Sequence, residues 1–194
     1  QEEDDPALRK KFEQRISDDV DEMIALVETL LTYARLDQAM LTLTKSPVVI
    51  EPMIKRIINN KKTDDINVEF IMDDTALTIN ADANYFMMML NNLIQNAVQY
   101  CHSKIKVEVK THRTSVVIMI SDDGGGINDE AKKNILKPFM RGDKTQNDVK
   151  GYGIGLAIVN RVLHWHNGSI EITNDQQLLG AKFIITVPRG GSSA

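Results

Sequence analysis

The sequence predicts an α+β fold, a two-layer α/β sandwich with a mixed sheet and helices on one face, preceded by one long helix. Three observations lead there. Short runs such as "KIKVEVK" and "AKFIITV" alternate or concentrate branched residues, the mark of strands, and others such as "GLAIVNRVLHWH" carry the helical period. These two kinds of segment follow one another without the regular β-α alternation of a doubly wound sheet. Ahead of them stands a helical seam free of strand signals.

Residues 1–6, "QEEDDP", read as a flexible acidic tail. Over 7–41 the apolar residues Ile16, Val20, Met23, Val27, Leu30 and Ala34 recur in steps of four and three, which sets them along one side of a helix. The spacing suits a helical hairpin or coiled coil and equally a surface helix docked on the chain's own core. The stretch 42–52 is read as a linker, because "KSPVVIEP" holds two prolines that interrupt regular structure. The main domain is expected over 53–188. "EPMIKRIINN" reads as an amphipathic helix, "INVEFIM" and "ALTIN" as strands, and Asp82 as the N-cap of a long helix ending near Tyr100. That helix turns Phe86, Leu90, Leu93, Ile94 and Ala97 to one side. "KIKVEVK", "THRT" and "SVVIMIS" form a hairpin, and "GSIEIT" and "AKFIITV" close the sheet. Residues 189–194 are expected as a second flexible tail.

With 194 residues the chain can bury one full core and carry an appendage. The net charge of -4 and the lack of a clustered basic stripe exclude a general nucleic-acid binder. A single cysteine, Cys101, makes no intrachain disulfide, which fits the cytosol. The longest apolar runs, such as "VVIMI", are far short of a membrane span, and no signal peptide opens the chain, so any membrane attachment is expected only through segments outside it.

"NNLIQNAVQY", 91–100, places amides in a helix where short amides are poor formers. Asn92, Asn96, Gln99 and Tyr100 fall opposite or beside the apolar side; they form a solvated surface, or they offer neutral oxygen ligands suited to Mg²⁺. "ISDDGGGI", 120–127, ends a buried strand in two aspartates and three glycines. Asp122 there can accept from the amine of adenine, whereas guanine presents an oxygen, though Asp-Gly clusters also make plain turns. "GYGIGL", 151–156, opens a helix whose free amides attract phosphate. It lacks the "GK[ST]" ending of a phosphate loop and follows no strand. Between them, "KPFMRGDKTQNDVK", 137–150, reads as a mobile lid or as a solvated loop, with Arg141, Lys144 and Lys150 as phosphate partners in the first case.

In that order these segments resemble the catalytic ATP-binding domain of bacterial two-component sensor histidine kinases, a Bergerat-type fold shared with gyrase, MutL and heat-shock chaperone ATPases. "NLIQNA" resembles the N box, "DDGGGI" the first glycine box, "LKPFMR" the F box, "GYGIGL" the second glycine box and "GAKF" the closing strand motif. "LLTYARLD", 30–37, resembles the end of the second helix of the dimerisation and phosphotransfer hairpin, whose first helix is absent, and with "QYCHS" it resembles RstB-type members. The resemblance implies that Asn96 ligates Mg²⁺, Asn92 lies near the phosphates, Tyr100 flanks the base, Asp122 holds adenine and Arg141 reaches the γ-phosphate. It extends the ATP contacts to Gly124, Gly126, Ile127, Phe139, Lys144, Lys150, Gly151, Gly153, Gly155 and Leu156. Two departures stand out: Gln99 replaces a common Lys or Arg, and Gly125 a common Pro.

The resemblance further implies ATP and Mg²⁺ as ligands, a response regulator as partner, a homodimer in the full-length protein and a cytoplasmic position in a protein of the bacterial inner membrane. Hydrolytic relatives carry a glutamate base where this chain has Asn92, and an amide cannot take a proton from water, so a kinase is favoured over an ATPase. The phosphoacceptor histidine of the family lies upstream. His102, His112, His164 and His166 do not fit it and are assigned to surface or packing roles, and Cys101 beside His102 lacks the geometry of a thiol nucleophile. The competing expectation is a degenerate nucleotide-binding scaffold acting as a helical interaction module.

Overall fold

The computed structural model describes residues 6–36, 42–61, 65–140 and 152–189. Helix α1 spans Pro6–Leu36, followed by β1 (Ser46–Val49), α2 (Ile50–Lys61), β2 (Asn67–Met72), β3 (Thr78–Ala81) and α3 (Ala83–Tyr100). The second half holds β4 (Lys104–Thr111), β5 (Ser115–Asp122), α4 (Asp129–Asn134), α5 (Gly155–Trp165), β6 (Ser169–Asn174) and β7 (Ala181–Pro188). Five strands form one sheet in the order β2-β4-β5-β7-β6, and β1 pairs with β3 in a separate ribbon. Only the β2–β4 pairing is parallel, so the sheet is mixed, as expected.

Strand alternation decides which side is dry. Ile105, Val107 and Val109 of β4, Val116, Ile118 and Ile120 of β5 and Phe183, Ile185 and Val187 of β7 are all buried on one face, where Phe86, Leu90, Leu93 and Ile94 of α3 and Ile158, Val159 and Val162 of α5 meet them. The opposite face carries half-buried Lys106, Glu108 and Lys182 beside Val117, Met119 and Ile184.

Asp82 caps α3 as expected: its Oδ1 accepts from the amides of Asn84 and Tyr85 at 3.1 and 3.3 Å, and its Oδ2 from Thr44 N at 3.0 Å. His166 joins the end of α5 to this cap. Its Nε2 accepts from Asp82 N at 3.0 Å, and its Nδ1 therefore carries the proton that meets Val162 O at 2.7 Å. His166 is buried and His164 exposed, in keeping with packing and surface roles.

Three stretches differ from the sequence reading. The expected linker 42–52 contains β1 and the start of α2. Its prolines are tolerated because Pro47 lies in a two-stranded ribbon and Pro52 in the first helical turn, where an N–H has no partner within the helix. Helix α4, polar on all sides and capped by Asn128, whose Oδ1 accepts from Ala131 N at 2.7 Å, was not foreseen. In α1 the seam splits: Ile16, Val20, Met23 and Val27 are exposed, whereas Leu30 turns inward with Leu26, Tyr33 and Leu36 against the domain. Trp165 Nε1 donates to Leu36 O at 3.1 Å and Tyr152 OH to Glu22 O at 2.7 Å, which pin α1 at two heights.

Burial lowers the His166 pKa from its ordinary 6.5, with the Lys45 charge adding to the effect and the Val162 bond and Asp82 opposing it. An imidazole depressed in the fold stabilises it fully above the ordinary value, and that stability is lost as pH falls below it, because the unfolded chain takes up the proton first. Urea midpoints are expected to drop between pH 7.5 and 5.5, and His166→Gln to flatten that slope; an unchanged slope in the variant contradicts this account.

Candidate nucleotide-binding site

Helix α3 lays Asn92, Asn96 and Tyr100 in line, four residues apart, each half-buried at the edge of the apolar side. Two glycine clusters meet this line at opposite ends. A Cβ on Gly155, the first residue of α5, would stand 2.8 Å from Asn92 Oδ1. A Cβ on Gly124 would stand 2.1 Å from the carbonyl oxygen of Tyr100. At Gly124 the neighbour is backbone and cannot give, so glycine is required there; at Gly155 an added methyl would push the Asn92 amide aside. At 1.5 Å of rise per residue, Asn92 and Tyr100 are about 12 Å apart, with Asn96 midway. The Asn92 amide Nδ2 donates to Met88 O at 2.9 Å, which turns its Oδ1 towards Gly155.

At the Tyr100 end, Asp122 closes β5 and is 1% exposed. Its Oδ1 accepts from Gly124 N at 2.9 Å and Ala181 N at 3.1 Å. Its Oδ2 is fully buried and has no hydrogen-bond partner among the described residues. Burial raises the carboxyl pKa against the pull of these two amides. A buried acceptor without a donor forfeits its solvation, so this oxygen favours a ligand that brings an N–H. Gly180 makes room on the other side: a Cβ there would stand 2.2 Å from Asp122 O and 2.4 Å from its Oδ1.

The neighbouring Asp123 has a different task. It accepts from the amides of His102 and Ser103 and from Ser103 Oγ at 2.8–3.1 Å, and these bonds hold its pKa at about 2 despite the opposing effect of burial. It ties the end of α3 to β5. The Cys101 thiol is pushed up in pKa by burial and by Asp123 and Asp122, which argues against a nucleophilic role and agrees with the sequence reading.

At the Asn92 end, Phe139 N donates to Gly153 O at 2.9 Å, so the F-box segment and the second glycine cluster are joined where each leaves the described structure. Gly153 has φ 70°, and a Cβ there would meet Met140 O at 2.7 Å. Phe139 adopts φ 63° and is 64% exposed, a left-handed conformation that side chains rarely take. Leu156 is buried, packing the first turn of α5 into the core. Arg141, Lys144, Lys150 and Gly151 lie outside the described residues.

Sequence reading missed Asn174. From the end of β6 its Oδ1 accepts from Ile127 N at 2.9 Å and its Nδ2 donates to Ile127 O at 3.0 Å, bracing the first glycine cluster beside Gly126, which has φ 70°.

A buried carboxylate with one oxygen unpaired among the described residues thus lies near one end of α3, and the N-terminus of α5 near Asn92 eight residues back along it, on a two-layer α/β sandwich. Residues 81–191, more than half of the chain, match the family described as histidine kinase-, DNA gyrase B- and HSP90-like ATPase, and the chain belongs to that family. It is 29% identical over 185 residues to the sensor protein RstB of Escherichia coli (strain K12), covering 90% of this chain and 41% of the relative. It is 30% identical over 179 residues to the sensor histidine kinase CssS of Bacillus subtilis (strain 168), covering 92% and 36%. The chain thus spans about two fifths of the length of these relatives. Among solved structures, the catalytic domain of the histidine kinase ThkA, in a nucleotide-free form, superposes with TM-score 0.66 at 25% identity, over 77% of this chain and 100% of that one. Full-length ShkA, in complex with AMPPNP, shares the fold with TM-score 0.80 at 24% identity, over 95% and 40%. The expected family and fold therefore stand: the chain carries a histidine kinase-, gyrase B- and HSP90-like ATPase domain, similar to those of sensor histidine kinases, with a long helix before it.

Gly180→Ala is expected to destabilise the fold by about 1–3 kcal/mol through forced overpacking and to abolish nucleotide binding, because the added methyl displaces Asp122. Thermal melting and nucleotide titration check this, and wild-type behaviour in both contradicts the tight approach.

Proposed function

We propose that the chain binds Mg·ATP and passes its γ-phosphoryl group to a histidine upstream of these residues, for onward transfer to a response-regulator aspartate. The observation that carries this reading is the buried Asp122 oxygen, unpaired among the described residues, at the end of an α3 row that glycines approach at Asn92 and Tyr100. Asp122 Oδ2 accepts from the adenine amine, and Tyr100, Gly124, Gly126 and Ile127 flank the base. Asn92 lies by the phosphates, which meet the amides of Gly153, Gly155 and Leu156 at the start of α5, where the helix dipole favours negative charge. Phe139 braces this loop, and Arg141, Lys144, Lys150 and Gly151 complete the phosphate side.

Asn96 supplies a neutral oxygen to Mg²⁺. Among the described residues no three His, Cys, Asp or Glu converge as metal ligands. A cation here draws on one amide, phosphate oxygens and water, a donor set that suits magnesium. Bound there, Mg²⁺ would be held by the Asn96 oxygen and would offset phosphate charge. In the transfer itself the bond from phosphorus to the β-γ bridging oxygen breaks as the unprotonated imidazole nitrogen bonds to phosphorus, the proton on the other ring nitrogen being the one free to leave.

The kinase reading is favoured over hydrolysis by Asn92, an amide whose nitrogen is committed to Met88 O and which has no basic site for activating water. A degenerate scaffold is disfavoured, because the unpaired Asp122 oxygen and the glycine approaches serve no purpose without a ligand. The exposed row Leu8, Phe12, Ile16, Val20, Met23 and Val27 on α1 supports homodimerisation of the full-length protein through a completed hairpin. No described helix is long and apolar enough to cross a membrane, and attachment to the inner membrane is assigned to segments outside this chain.

Fluorescent-nucleotide displacement is expected to show Mg²⁺-dependent ATP binding that falls by about tenfold or more in Asn96→Ala. Mixing with the missing upstream helix should give an acid-labile, base-stable phosphate. Steady phosphate release from this chain alone would instead mark an ATPase.

A further inference from the structure

The hairpin β6–β7 reaches the Asp122 site through the Ala181 amide and the first glycine loop through the Asn174 side chain. Asp175 makes the turn rigid. Its Oδ1 accepts from Gln177 N and Leu178 N at 2.9 and 3.0 Å, and its Oδ2 from Ser121 Oγ at 2.9 Å and Lys182 Nζ at 3.3 Å. Those bonds hold the carboxyl at about 2, so the turn keeps its charge and shape throughout the neutral range. Directly before it, Asn174 is fixed by register, opposite Ala181, the residue whose amide binds Asp122.

From this fixed base the Asn174 amide pairs edge to edge with the Ile127 backbone, 47 positions away in sequence. The pairing has one satisfying orientation, since flipping the amide would face donor with donor and acceptor with acceptor. A Cβ on Gly126 would lie 3.1 Å from Asn174 Oδ1, so the same side chain also limits how far the loop can fold in. Within this loop, Gly125 is open on all sides and the backbone is glycine from 124 to 126, the composition with most freedom to lose on ordering.

The geometry points to Asn174 as a positioning residue for the nucleotide: its amide holds the first glycine loop in the shape that receives the adenine end, so that ligand binding need not supply the ordering. The inference rests on the nucleotide reading of the Asp122 cleft. Asn174 acts through Ile127 and Gly126, without requiring contact of its own with the base. Preorganisation of this kind raises affinity by lowering the ordering entropy lost on binding.

Calorimetric titration of the chain with ADP and with Mg·ATP tests it, using Asn174→Ala, Asn174→Asp and Asp122→Asn. Asn174→Ala is expected to raise Kd about tenfold for both nucleotides, since the loss lies at the base end, while the ligand-free melting temperature moves by only a few degrees. Asn174→Asp keeps an acceptor for Ile127 N but has no proton for Ile127 O, and should weaken binding by a smaller factor, about threefold. Hydrogen exchange should quicken at Ile127 in the alanine variant and stay slow at Val107 and Ile118, which a general loosening of the fold would not leave untouched. Wild-type affinity in Asn174→Ala together with lost binding in Asp122→Asn overturns the inference and leaves the site reading standing. Wild-type affinity in Asp122→Asn removes the reading and the inference with it. Should the alanine variant fail to fold, wild-type affinity in Asn174→Asp overturns the inference by itself.

Discussion

The structure turns on how one carboxylate is left half-satisfied. Asp122 spends one oxygen on two backbone amides, from Gly124 and Ala181, and buries the other without a donor among the described residues. A folded chain tolerates such a group where strong neighbouring bonds hold it and a ligand repays the desolvation. The core strands β5 and β7 provide the frame, and the glycines at 124 and 180 keep side chains out of the space beside it. An apolar residue in its place would strand the amides of Gly124 and Ala181 and remove the unpaired acceptor as well.

What extends this point into a cleft is α3. The helix is held at its start by Asp82 and His166 and at its end by the bonds from Asp123 to residues 102 and 103, so its exposed row has little freedom to slide. Along it a glycine stands at each of two close approaches, Gly155 beside Asn92 and Gly124 beside Tyr100. In the proposed reading, base-binding and phosphate-binding chemistry are thereby separated by two helical turns of a single element, which suits a reaction that depends on placing one phosphorus atom rather than on covalent help from the protein.

Much of this was legible before any coordinates, for reasons that can be traced. The apolar period of α3, the Asp82 cap and the alternation of β4 are local patterns, and locally determined features came through intact. The Asn stretch is out of place in a helix, the Asp-Gly stretch alone is ordinary turn chemistry, and the order of the boxes makes both specific. Asn174 was invisible because its role is created by hairpin register and a contact 47 residues away. Helix α4 has no apolar side to announce it, although Asn128 stood at its cap. Strand β1 was hidden by Pro47, which rules out a central strand but not a member of a two-stranded ribbon. Leu30 continued the spacing of the α1 seam, and only the docked domain reveals that it leaves that seam.

The central claim is that the buried Asp122 oxygen accepts a hydrogen bond from the amine on the purine six-position. The most direct measurement compares the affinity of this chain for ATP and for inosine triphosphate, which differ in carrying an amine or an oxygen at that position, with Mg²⁺ present at neutral pH. The account predicts that ATP binds at least about a hundredfold more tightly, because the oxygen leaves a buried carboxylate facing another acceptor. Equal affinity for the two nucleotides contradicts it.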